Sequence, residues 1–177
     1  MFERRVAVAA ASLVWFACVA AQEGPGLGVP ATPEQVAGWD VSIGPDGAGL
    51  PAGSGNAAAG KTVYEAKCVA CHGVDGKGQP NDQLAGGQGT LHDAAPVRTL
   101  GSYWPYATTV FDYVRRAMPY VAPHSLTADE TYALTAYLLA LNGVIDQNAV
   151  MDATTLPKVV MPNRANFDSA YREPRKR

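Results

Sequence analysis

Cysteine is scarce in this 177-residue chain, which holds only Cys18, Cys68 and Cys71. Cys18 sits in the apolar N-terminal run, so one close pair remains for the rest of the chain. That is too little for the disulfide framework on which small exported domains rely. Histidine is equally rare, with three residues, and the two further ligands that a zinc site needs are not placed around the cysteine pair. A thioredoxin-like redox pair would require a surrounding parallel-sheet pattern, which is also lacking. Charge is sparse and nearly balanced, at 17% charged residues and a net charge of −2, so nothing points to nucleic acid as a partner. No apolar run reaches the roughly 20 residues needed to span a bilayer, and no internal repeat suggests a second copy of any domain.

What is present begins with a leader pattern. Arg4 and Arg5 precede an apolar run from Val6 to about Ala20, and Val19-Ala20-Ala21 stands before polar Gln22. This three-part layout predicts a secretory signal over residues 1–21, cleaved after Ala21, and hence a periplasmic protein with no membrane span after cleavage.

The remaining length suits one ordinary domain with extensions. Residues 22–56 are dense in Gly and Pro without a sustained period, which predicts an extended N-terminal arm. A short helix interrupts it: Thr32 as N-cap, Pro33 at the first helical position, Gln35 completing a capping box and Gly38 as a stop. Trp39 follows, and so large an aromatic is expected to dock against something. The core domain is predicted over 57–145 and is all-α. A helix from Ala57 runs into Cys68, a Gly-rich loop covers Gly73 to Pro96, and a helix over Ala107–Ala117 turns Val110, Phe111, Val114 and Ala117 inward with Asp112, Arg115 and Arg116 facing away. The last helix runs from Ala128 to Asn142, with Thr127 and Glu130 as a capping box and an apolar face of Tyr132, Ala133, Ala136, Leu139 and Ala140. Residues 146–177, with Pro157, Pro162, Pro174 and a basic end, predict a second extended arm.

Cys68-Val69-Ala70-Cys71-His72 carries the chemistry. Two thiols separated by two residues reach two vinyl groups on one edge of a porphyrin, and the adjacent imidazole is carried under the ring to the iron; this is the attachment sequence of c-type haem. One motif means one covalent haem c. The second axial ligand is to be sought among Met118, Met151, Met161, His92 and His124. Position favours Met118, which lies between the attachment segment and the final helix with Pro119 behind it. His72 and Met118 are therefore the predicted iron ligands. Such a His and thioether pair closes the iron to substrates and raises its potential, which favours electron transfer over catalysis at the haem. Tyr103, Trp104 and Tyr106 are candidates for covering the haem edge or bonding a propionate, Arg98 for neutralising one, and Pro80 for offering its carbonyl to the His72 ring. Gly60 and Tyr64, with Tyr137, mark the expected close crossing of the first and last domain helices.

From about Ala57 to Asn142 the chain resembles class I cytochrome c. A closer resemblance lies in Gly38-Trp39-Asp40, in the run from Gly101 to Thr109, in Arg116-Ala117-Met118-Pro119, and in Leu156-Pro157 with Met161-Pro162-Asn163. These are similar to the cytochrome subunit of the Sox sulfane (sulfur) dehydrogenase. The resemblance implies a monohaem electron-transfer subunit paired with a molybdenum-cofactor dehydrogenase subunit, which both arms would grip, and a downstream c-type cytochrome or oxidase as acceptor. The alternatives are the cytochrome subunit of a sulfite dehydrogenase and a free-standing shuttle cytochrome.

Overall fold

A computed structural model describes residues 27–167. The predicted leader and the basic C-terminal end lie outside the described residues. Within them the chain is mostly helical, and everything is arranged around one central helix.

That helix, α5 (Ala128–Leu141), starts on the expected capping box: the Thr127 hydroxyl accepts from the Glu130 N–H and the Glu130 carboxylate accepts from the Thr127 N–H. Its environment differs from the expected one-sided pattern, because every residue from Thr131 to Leu139 is buried. A helix flanked by structure on all sides needs apolar or self-satisfied residues all round. Accordingly the buried hydroxyls of Thr131 and Thr135 donate to the carbonyls of Thr127 and Thr131, so neither leaves a polar group without a partner.

On one side α2 (Ala57–Lys67), capped by the Asn56 side chain accepting from the Ala59 N–H, crosses α5 at close range. The close approach passes over Gly60, where an added Cβ would run into the Ala133 carbonyl and the Tyr137 Cβ. Tyr64 and Tyr137 meet beside this point with tilted rings, their centroids 5.3 Å apart. The sequence places this crossing correctly. The chain turns at Cys68 into a single helical turn, α3 (Val69–His72), and then through short 3-10 turns at Val74–Gly76 and Thr90–His92 within the expected loop. Helix α4 (Ala107–Ala117) packs against α5 through Val110, Phe111 and Val114.

Both extensions close over the far side of α5. A seven-residue helix, α1 (Pro33–Trp39), precedes strand β1 (Ser54–Asn56), which pairs antiparallel with β2 (Val150–Asp152) in the register Gly55 to Met151. Met151, Leu156 and Met161 are buried there with Phe111, Tyr132 and Leu139, and the Tyr132 hydroxyl donates to the Pro51 carbonyl at 2.9 Å. Residues 150–161 thus form a core-building strap. Sequence periodicity could not reveal this, because isolated apolar residues spaced along an irregular segment carry neither helical nor strand period.

Two expectations are corrected. Asp112 and Arg116 do not simply face solvent: Asp112 accepts from the Ile43 N–H at 3.2 Å and pairs with Arg116 at 2.6 Å. They form a clasp for the N-terminal segment. Trp39 docks on nothing among the described residues and is 89% exposed.

Candidate functional site

The attachment sequence enters the site through a change of backbone direction. Cys68 ends α2 and begins α3, so Cys71 and His72 follow within one helical turn. The Tyr64 hydroxyl, on α2, donates to the Gly73 carbonyl at 2.7 Å and ties the end of that turn back to the preceding helix. Burial pushes the Tyr64 phenol up to about 12, so it remains a donor at any ordinary pH. Both thiols are free. Cys68 is half-buried and its thiol is pushed up to about 11, chiefly by burial, whereas Cys71 is exposed.

His72 Nδ1 lies 2.8 Å from the Asp82 carbonyl oxygen. A carbonyl can only accept, so Nδ1 carries the proton and Nε2 is left with its lone pair for a metal. The supporting carbonyl is therefore that of Asp82 and not that of Pro80, two residues earlier. The turn from Gly73 to Asp82, in which the Gly78 N–H donates to the His72 carbonyl and the Asn81 N–H to the Cys71 carbonyl, carries the chain past Pro80 before it returns to the ring. Sequence offers no signal for which carbonyl in such a loop will arrive.

Cys68, Cys71, His72 and Met118 line one cavity of about 620 Å³, within the range of sites for large ligands. Its walls include Leu100, Val110 and Val114 from α4, and Leu134 and Leu138 from α5. Met118 reaches it because α4 stops there: the residue is the C-cap, with extended backbone at φ −120° and ψ 146°, and its N–H still bonds Val114. The other candidates are elsewhere. Met151 and Met161 are buried in the core on the opposite side of α5, and neither His92 nor His124 lines the cavity. Two thiols, an imidazole held by its far nitrogen, and a thioether on one apolar cavity are the donor set that covalent haem requires. The residues fit the group.

The aromatic cluster splits. Trp104 lines the cavity and meets Tyr113, an α4 residue not singled out from the sequence, edge to face at 5.6 Å. Arg98 also lines it. Tyr103 does not: its ring lies beneath Arg98 at 5.4 Å and edge-on to Phe167 at 5.3 Å, and its carbonyl accepts from the Asn163 side chain. Tyr106 points away as well, with the Arg164 guanidinium over its ring at 4.4 Å. Tyr103 and Tyr106 thus serve the C-terminal strap and Trp104 serves the cavity. Among the described residues there is no cluster of three or more His, Cys, Asp or Glu side chains able to hold a metal ion, and no helix is long and apolar enough to cross a membrane.

Comparison with known proteins agrees with this geometry. A family model described as cytochrome c matches residues 57–142. No curated protein sequence matches. Among solved structures, a chain in the crystal structure of the sulfane dehydrogenase SoxCD from Paracoccus pantotrophus superimposes with a TM-score of 0.77 at 44% identity, over 81% of this chain and 71% of that one. The superposition extends well beyond the family-model region into the extensions. The chain belongs to the class I cytochrome c family, as an electron-transfer cytochrome with covalently attached haem c, close to the cytochrome of that Sox dehydrogenase.

Proposed function

We propose that the protein is the periplasmic, monohaem electron-transfer subunit of a molybdenum-cofactor sulfane dehydrogenase. The observation that carries the reading is the 44% identity with a chain of the SoxCD sulfane dehydrogenase, maintained over 81% of this chain. Cys68 and Cys71 attach the haem, His72 is the proximal ligand and Met118 the distal one. Bound haem supplies a reversible one-electron change at iron.

The chain's own residues hold that site for transfer and exclude other chemistry. Asp82 fixes the His72 tautomer and ring plane, so its Nε2 is presented in one orientation. His72 and Met118, on the same cavity, would both hold the iron and so would leave it closed to a substrate. The wall of Leu100, Val110, Leu134 and Leu138 excludes water, which keeps the surroundings nearly fixed when the charge on the site changes. Arg98, which lines the cavity, would offer its positive charge to a propionate, and Trp104 adds its ring to the lining. The sulfur chemistry belongs to the partner, and the electrons leave towards a c-type cytochrome or oxidase.

The test is gentle affinity capture of the protein from its native cells, with molybdenum analysis and rapid mixing with a sulfane donor or sulfite. The reading expects a stoichiometric molybdenum subunit and prompt haem reduction by the sulfane donor. Reduction by sulfite alone would reassign the substrate, and a lone cytochrome that stays oxidised would make it a free shuttle.

A further inference from the structure

The hydrogen bond that orients His72 is made at the surface. His72 Nδ1 and the Asp82 carbonyl oxygen are 2.8 Å apart, yet Asp82 is exposed, so water competes for the same proton. The net worth of such a bond is small, and it persists only where the chain holds both partners in register. His72 is held by its own helical turn. Asp82 lies in an irregular stretch and depends on anchors outside it.

The chain on either side of Asp82 is fixed at named points. Upstream, the Asn81 N–H donates to the Cys71 carbonyl at 2.8 Å. Downstream, the Leu84 N–H donates to the Gly76 carbonyl at 2.8 Å. Both of these acceptors belong to the attachment turn and its loop, and they move with it. The tie to the core comes from Asn142, the C-cap of α5, with Thr99 Oγ1 adding a bond to the Gly86 carbonyl at 2.6 Å.

Asn142 uses every hydrogen-bonding position of its amide. Oδ1 accepts from the Gly86 N–H at 3.0 Å and from Gln88 Nε2 at 3.3 Å, and Nδ2 donates to the carbonyls of Leu84 at 3.1 Å and Leu138 at 2.9 Å. These partners fix which way the amide points, since a backbone N–H can only donate and a carbonyl can only accept. Gly101 makes room for it, because a Cβ there would overlap the Asn142 side chain. A residue that served α5 alone would need only the Leu138 bond. The other three reach back 54 to 58 residues, all to Leu84–Gln88.

We infer that Asn142 is a positioning residue for the proximal ligand, pinning Leu84–Gln88 to the end of α5 and so keeping the Asp82 carbonyl on His72 Nδ1. The inference rests on His72 binding the iron, as proposed above. A carbonyl held on Nδ1–H makes the imidazole a stronger base at Nε2, which favours the oxidised state. A carbonyl set loose therefore raises the midpoint potential.

The test compares holoproteins of wild type, Asn142→Leu and Thr127→Ala. Leucine keeps the branched shape, makes none of the four bonds and adds no charge that would itself move the potential. Thr127→Ala removes the cap at the far end of the same helix and measures what loosening α5 does alone. In Asn142→Leu the reduced-to-oxidised ratio at fixed potential is expected to rise about threefold, roughly 30 mV for a one-electron couple, with the thioether absorption band retained. In its reduced, diamagnetic state the His72 Nδ1–H exchanges with solvent at least about tenfold faster than in wild type. Thr127→Ala is expected to match wild type in both. Unchanged potential and exchange in Asn142→Leu, or an equal change in Thr127→Ala, overturns the inference. If Asn142→Leu takes up no haem, wild type decides: with rising denaturant the His72 Nδ1–H and the Gly86 N–H are expected to exchange through one shared opening, and loss of the His72 proton while Gly86 stays protected overturns the inference. His72 ring protons that lack the large ring-current shift of an axial ligand would remove the ligand reading itself, and the inference with it.

Discussion

The two sides of α5 are built from the same kinds of residue and end differently. On the arm side Phe111 and Tyr132, with ring centroids 4.5 Å apart, are joined by Leu139, Met151, Leu156 and Met161, and the chain closes its own core. On the cavity side Tyr64, Leu100, Val110, Val114, Leu134 and Leu138 form walls around about 620 Å³ that no side chain fills. Methionine makes the contrast plainest. Met161 is 1% exposed and its sulfur is a packing atom, while Met118 stands half-buried at the end of α4 with its side chain on the cavity. A core that a chain leaves unfinished, with donor atoms on its walls, is a core that expects a partner.

The largest effect that sharpens this comparison is at the attachment sequence. Cys68→Ser/Cys71→Ser removes both thioether bonds, and the expected outcome is a chain whose mass lacks haem after acid-acetone extraction, with reduced helicity by circular dichroism. Next in size is a methionine swap on the finished side. Met161→Ala leaves a cavity in a closed core and is expected to cost about 2–5 kcal/mol in denaturant unfolding, with the haem spectrum unchanged. Gly60→Ala probes the joint between the sides: the new methyl meets the Ala133 backbone, which has nowhere to yield. Its small gain in helix propensity is outweighed, for a net loss of about 1–3 kcal/mol by the same measurement.

Legibility in the sequence followed how local each signal is. The α5 capping box at Thr127 and Glu130, the start of α2 near Ala57 and the extent of α4 all rest on neighbours within a few residues, and all are where the pattern places them. Cys68, Cys71 and His72 are contiguous and equally plain. What escaped depends on contacts far apart in the chain. The pairing of Ser54–Asn56 with Val150–Asp152 joins segments about a hundred residues apart, each only three residues long. The carbonyl over His72 is supplied by Asp82 through a Gly-rich turn whose path no propensity encodes. Tyr103 and Trp104 are adjacent in sequence, and only the fold separates one into the strap and the other into the cavity. Trp39 taught the reverse lesson: a large aromatic was expected to dock, and within this chain it has no place to do so.

The division between the two sides is tested most directly by the oxidised absorption spectra of Met118→Ala and Met161→Ala holoproteins, read at the weak long-wavelength band of thioether-ligated haem. Loss of the band together with a lower midpoint potential in Met118→Ala, and its full retention in Met161→Ala, is the expected pair of results. A band that survives Met118→Ala, or one that disappears in Met161→Ala, would place the distal ligand outside the cavity described and contradict the assignment.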